Sequence, residues 1–203
     1  MTQPNPTRTR SRTPLVLIIL FSLAPVLAAV LAYLNPGFRP EGSVAYGMLI
    51  EPQRPIPASA ELVATTLDGK PFDVGTLKGK WLLVTADGGD CQDACARKLF
   101  ILRNSHASQG KNVERLARVW FITDDQAVPE KVLEAYRGTI MLRVKSEQLA
   151  AFLLASPSAV PTLAEPMWII DPHANLILQY PANAEPEKVR KDISKLVYNS
   201  RIG

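Results

Sequence analysis

Histidine and cysteine are scarce in this chain of 203 residues, which holds two of each. The two cysteines are the only donors of that kind that lie close together, and zinc would need four ligands converging on one ion. No internal repeat is visible, so the chain is read as one domain with an appendage. Acidic residues are missing ahead of Pro14, and charge of either sign is missing from Pro14 to Leu34. The formal net charge is +4, and Arg8, Arg10 and Arg12 account for three of those charges, leaving 4 − 3 = +1 for the remainder. The basic balance therefore carries no sign of a nucleic-acid partner; it belongs to a short tail.

What is present begins with that tail. The 21 uncharged residues from Pro14 to Leu34 reach across a hydrocarbon core of roughly 30 Å at about 1.5 Å per residue. Arginines precede them, and Arg39 with Glu41 follows. This asymmetry predicts a cytoplasmic tail (1–13), a transmembrane anchor (14–34) in contact with membrane lipid, and everything beyond it outside the cytoplasm. The alternative is a cleaved secretory signal, since Ala28, Ala29 and Ala32 offer small residues near its end; the apolar run is longer than a usual signal core. Pro25 is tolerated within such a span. Residues 35–60 contain Pro36, Pro40, Pro52, Pro55 and Pro57 and read as a stiff, extended linker.

The domain expected over 61–203 is organised around Trp81 to Cys95. An apolar run of strand length, Trp81–Ala86, ends in a loop holding Gly88 and Gly89. Cys91 and Cys95 follow at once, and Ala96–Arg103 reads as a helix. A strand that delivers two cysteines to the first turn of a helix is the active-site arrangement of thioredoxin-like folds, where the helix N-terminus favours thiolate over thiol. Such a pair can serve as a reversible disulfide, as a soft metal site, or as neither. A loop this short removes little chain entropy, which argues against a purely structural bridge. Cα atoms at i and i+4 of a helix lie about 6 Å apart, within disulfide range.

Further along, a short strand is expected near Glu61–Leu67, with Phe72–Val74 pairing back across Asp68-Gly69. Val119–Thr123 and Thr139–Val144 read as strands, Pro129–Tyr136 and Ser146–Ala155 as helices. Met167–Ile170 and Asn175–Tyr180 form a hairpin turning at Asp171–Ala174. Glu185–Tyr198 carries Val189, Ile193, Leu196 and Val197 on one helical face. This order gives an α/β fold: a thioredoxin-like mixed central sheet flanked by helices, with one N-terminal transmembrane helix.

Several segments together resemble the Sco (SenC) proteins, thioredoxin-like membrane-anchored assembly factors for cytochrome c oxidase. They are Leu67-Asp68-Gly69-Lys70-Pro71-Phe72, Leu77-Lys78-Gly79-Lys80-Trp81, the Cys91-x3-Cys95 loop, Phe121-Ile122-Thr123-Asp124-Asp125 with Pro129-Glu130, and Trp168-Ile169-Ile170-Asp171-Pro172. The chain departs from the family in two places. Gln92 and Ala96 stand where prolines usually follow the two cysteines. The region of the family's copper-ligand histidine, about Leu163 to Glu165, holds no histidine. His106 lies about 16 Å along the helix from Cys95, and His173 sits at the far end of a hairpin strand; neither is within reach.

The resemblance implies a role in oxidase assembly at the outer face of a bacterial inner membrane, with the domain in the periplasm and an oxidase subunit or another assembly factor as partner. The pair Cys91 and Cys95 is the expected site, Cys91 as the exposed attacking thiol and Cys95 as the resolving one. The helix end lowers the thiol pKa while Asp87, Asp90 and Asp93 raise it, and Arg97 and Lys98 lie one turn on. Pro166 occupies the place where thioredoxin-like folds set a cis proline; its alternative is an ordinary loop proline. No cofactor is certain. Cu(I) is the conditional metal, held by Cys91 and Cys95 with Met167 or a partner's side chain as a third ligand. No threonine just ahead of Cys91 supports a peroxidase. If the chain is an enzyme it is a thiol-disulfide oxidoreductase; a general oxidoreductase or a scaffold that merely keeps the fold are the alternatives.

Overall fold

The computed structural model describes residues 12–35, 45–154 and 163–203. The chain divides into two units, Met1–Ser43 and Val44–Gly203. The first holds α1 (Thr13–Leu34), with Pro at its start, Pro25 inside it, and no buried residue. Its mean hydropathy of 2.9 over the richest window makes it long and apolar enough to cross a bilayer. The basic tail before Arg12 and residues 36–44 of the expected linker lie outside the described residues.

The second unit is built on one eight-stranded sheet in the order β1-β8-β7-β4-β5-β6-β2-β3. Its centre is β4 (Trp81–Asp87), all seven of whose residues are buried. It pairs in parallel with β5 (Leu116–Ile122) and antiparallel with β7 (Met167–Ile170). The unbroken apolar run that reads as a doubly covered strand owes its place to helices on both faces. On one face α2 (Asp93–Ala107) and α5 (Pro186–Asn199) cover Leu83, Trp120, Ile122, Met167 and Ile169. On the other α4 (Ser146–Leu153) covers Val84, Phe121, Leu142 and Trp168. Alternation along β4 sends Leu82, Val84 and Ala86 to the α4 side and Trp81 and Leu83 to the α2 side, where Thr85 and Asp87 follow them in register.

The remaining strands are β2 (Ala64–Thr66), β3 (Pro71–Phe72), β6 (Ile140–Val144) and β8 (Asn175–Tyr180), with the short α3 (Glu130–Ala135) after β5. The hairpin β7–β8 and the turn from β2 to β3 lie where the sequence pattern puts them.

One stretch differs. Met48–Pro55, inside the expected linker, is β1, an outer strand pairing with β8. Its register slips between Leu49 and Arg54, and the Glu51–Pro52 bond within that slip is cis. An outermost strand needs hydrogen bonds on one side alone, which is why it can hold prolines that a central strand excludes. Arg54 fastens it by donating to the carbonyls of Leu153 and Leu154 at the end of α4. The residues before it are also held: Asp192 on α5 accepts from the amides of Tyr46 and Gly47 at 2.6 and 3.0 Å.

Candidate functional site: a shielded disulfide at the start of α2

The end of β4 delivers the chain to a turn at Gly88–Gln92 and then to α2. Cys91 has φ of +46°, a left-handed backbone that non-glycine residues rarely adopt. It is bonded to Cys95 in the first turn of the helix, with Cα atoms 5.0 Å apart. The pair therefore sits at the positive end of the helix dipole, where a thiolate released by reduction is favoured. Asp90, one of the carboxylates expected to oppose this, is engaged by the Gln92 side-chain amide at 2.8 Å.

The two sulfurs lie side by side as expected, but they are not open to solvent. Cys91 is 9 % exposed and Cys95 is 2 % exposed, and both belong to the core cluster on the α2 face. The turn that carries Cys91 is itself overlaid by the segment between β5 and α3. The Asp124 carboxylate accepts from the Gly89 amide at 2.8 Å, and Val128 packs against the cluster that contains the cysteines. Arg143 on β6 clamps this strap by donating to the carbonyls of Asp124 and Gln126. A Cβ on Gly89 would come within 2.2 Å of the Gln126 carbonyl oxygen. Glycine is thus required for the approach of strap and disulfide turn. Cys91 remains the more accessible of the two, by a small margin.

Pro166 is buried and precedes Met167, which pairs with Thr85 near the end of β4. It enters the sheet beside the strand from which the disulfide turn leaves. The Glu165–Pro166 bond is trans, not cis: among the described residues the cis bond is Glu51–Pro52. Pro166 is accordingly an ordinary loop proline in its backbone.

Sequence reasoning missed the most unusual feature near the pair. Lys98 and Asp87 form an ion pair at 2.6 Å with side chains 7 % and 6 % exposed. Burial pushes the Asp87 carboxyl up and the Lys98 ammonium down, and each partner works against that shift. Removing one member of such a pair leaves an uncompensated buried charge, a loss of about 3–5 kcal/mol. A signal was present. Cys95, Lys98, Leu102 and Ser105 fall at helical spacing and are all buried, so a lysine sits in the inward stripe of α2, and Asp87 is the one acidic residue of β4. Each called for a buried partner.

Among the described residues no histidine joins Cys91 and Cys95 in a cluster that could hold a metal, and no group of three or more His, Cys, Asp or Glu stands close enough to hold one. His106 lies in the last turn of α2, and His173 in the turn between β7 and β8. The turn at Leu163–Glu165 presents Ala164 and Glu165 to a cavity of about 230 Å³, together with Ala94, Arg97, Met167 and Asn183.

Similarity to known proteins agrees with this architecture. No curated protein matches the sequence. Among solved structures, Arabidopsis thaliana ScoI with copper bound matches with a TM-score of 0.52 at 18% identity, over 77% of this chain and 100% of that one. Yeast Sco1 with copper bound gives 0.51 at 15% identity, over 78% and 96%. A thiol:disulfide interchange protein from Bacteroides sp. gives 0.53 at 14% identity, over 73% and 91%. At these identities the likeness is one of fold, and the fold is Sco-like and thioredoxin-like. A family model described as transmembrane-like, thioredoxin-like, C-terminal domain matches residues 81–200, from the first residue of β4 to the end of α5, and the chain belongs to that family.

Proposed function

We propose that this chain is a membrane-anchored thioredoxin-like assembly factor for cytochrome c oxidase, acting on the thiols of an oxidase subunit or of another assembly factor. The observation that carries the reading is the Cys91–Cys95 bond across the first turn of α2. The segments shared with Sco proteins supply the client class, and α1 supplies the anchor. The basic residues ahead of α1 set the proposed orientation, with the N-terminus inside and the domain from β1 onward in the periplasm of a bacterial inner membrane.

The chemistry is thiol–disulfide exchange. A client thiolate attacks Sγ of Cys91, the Cys91–Cys95 bond breaks, and Cys95 leaves as a thiolate at the helix N-terminus. A second client thiolate then attacks the client sulfur of the mixed disulfide and releases Cys91. The client loses two electrons and the chain gains them; run backwards, the reduced pair reduces a client disulfide. Reduced Cys91 and Cys95 also offer two thiolates to Cu(I), with Met167 or a client side chain as the third ligand.

A second reading has its own observation. The shielding of both sulfurs suits a scaffold in which the disulfide is left from an ancestral use. Replacing both cysteines with serine separates the two: the thiol reading expects oxidase activity in the membrane to fall at least several-fold, while unchanged activity favours the scaffold. Titrating the reduced chain with Cu(I) against a competing chelator decides whether metal is part of the task.

A further inference from the structure

The Lys98–Asp87 pair takes no part in the exchange steps above, and its surroundings point to its task. Lys98 Nζ donates to Asp87 Oδ2 at 2.6 Å, to the carbonyl of Ala86 at 3.0 Å and to the carbonyl of Ala164 at 2.5 Å. An ammonium has three N–H donors, so all three are committed. Two acceptors belong to the carboxyl end of β4, and the third to the turn that leads into β7. A side chain on the cysteine helix thus ties that turn to the sheet centre.

The same turn forms a wall of the 230 Å³ cavity. Ala94 and Arg97 of α2 line it, Met167 and Ile101 supply apolar lining, and Asn183 lines it too. Arg97 reaches across to the Asn183 side chain at 3.4 Å. Ala94 is the residue directly before Cys95, so the cavity adjoins the disulfide turn. A polypeptide whose cysteine attacks the pair can lay the neighbouring part of its chain there. The lining suits one apolar side chain of modest size beside that cysteine.

We propose that Lys98 is a positioning residue: by tying Ala164 to the end of β4 it fixes the wall of the cavity that receives the client segment next to its reactive cysteine. The inference rests on the thiol reading given above. Without the ammonium the Ala164 carbonyl loses its donor and the wall is free to shift, while the disulfide, held by α2 and the strap, stays in place.

The test uses the full-length chain in detergent. Lys98→Met alone leaves Asp87 buried without a partner, so the informative variant is the double Asp87→Asn/Lys98→Met, which removes both charges. Two exchange rates are compared. One is with dithiothreitol, whose thiols close into a ring as Cys91 and Cys95 are reduced. The other is with a peptide bearing one cysteine beside a leucine, which forms a mixed disulfide as Cys95 leaves. Amide hydrogen exchange of residues 163–168 is followed in parallel. The expected result is a dithiothreitol rate within twofold of the parent, a peptide rate at least tenfold slower, and lost protection confined to 163–168. An unchanged peptide rate overturns the proposal, and so does an equal loss of both rates, which is what a merely structural residue would give. A parent chain that reacts with neither reagent overturns the thiol reading itself; the amide-exchange arm still decides whether Lys98 holds the turn.

Discussion

At the residue scale, His106 illustrates what burial does to a titrating side chain. His106, in the last turn of α2, is half-buried, and burial pushes its pKa below the ordinary 6.5, with the Arg118 guanidinium adding to the shift. The folded chain therefore binds fewer protons than the unfolded chain in the window beneath 6.5. The stabilising contribution of neutral His106 is complete above 6.5 and is lost as pH falls through the lower folded value. Denaturant unfolding between pH 7.5 and 5 should show stability falling more steeply in the parent than in His106→Gln; parallel pH profiles would contradict this. That Cys91 and Cys95 can bond was legible from residue type and spacing alone; their burial and the trans bond before Pro166 were not. Lys98 was not, because the choice between a solvated lysine and one inside depends on Asp87 and Ala164, and Ala164 is 66 residues away along the chain. The helical stripe hints that Lys98 points inward, but nothing local to α2 says which distant groups receive it.

At the element scale, the strap over the disulfide turn is the feature with the most direct consequence. Gly88 and Gly89 allow the turn to lie against Asp124 and Gln126 with no room for a side chain. Gly89→Ala should push the strap outward and break the Asp124 contact, so a small phosphine should reduce the disulfide at least several-fold faster while the chain melts lower. A reduction rate equal to the parent's would show that the strap does not govern access. The elements themselves were read with uneven success, for physical reasons. β4, the β7–β8 hairpin and α5 have strong local patterns, and their predicted and observed limits differ by at most a residue, whereas α2 starts three residues before the Ala96–Arg103 reading and ends four after it. β1 has none. Its prolines look like a spacer, and it is a strand because β8 offers a free edge and because Arg54 and Asp192 hold its flanks. Likewise the burial of the sulfurs comes from the core cluster on the α2 face, built largely from elements distant in sequence, which the local reading of the cysteine loop leaves out.

At the scale of the whole molecule, the central fact is a cysteine pair placed where a thioredoxin-type sheet meets a helix N-terminus, in a chain with an apolar helix able to span a bilayer. The account treats the bond as one that is made and broken. Structural disulfides in exported proteins have potentials below about −300 mV, whereas exchange-competent ones lie above that. Equilibrating the full-length chain with graded dithiothreitol ratios, and counting free thiols by alkylation at each, gives the potential directly. The account predicts a single reversible two-electron transition above about −300 mV, abolished in the double serine variant. A bond that stays closed below that potential in the folded chain, and opens only as the domain unfolds, would contradict it.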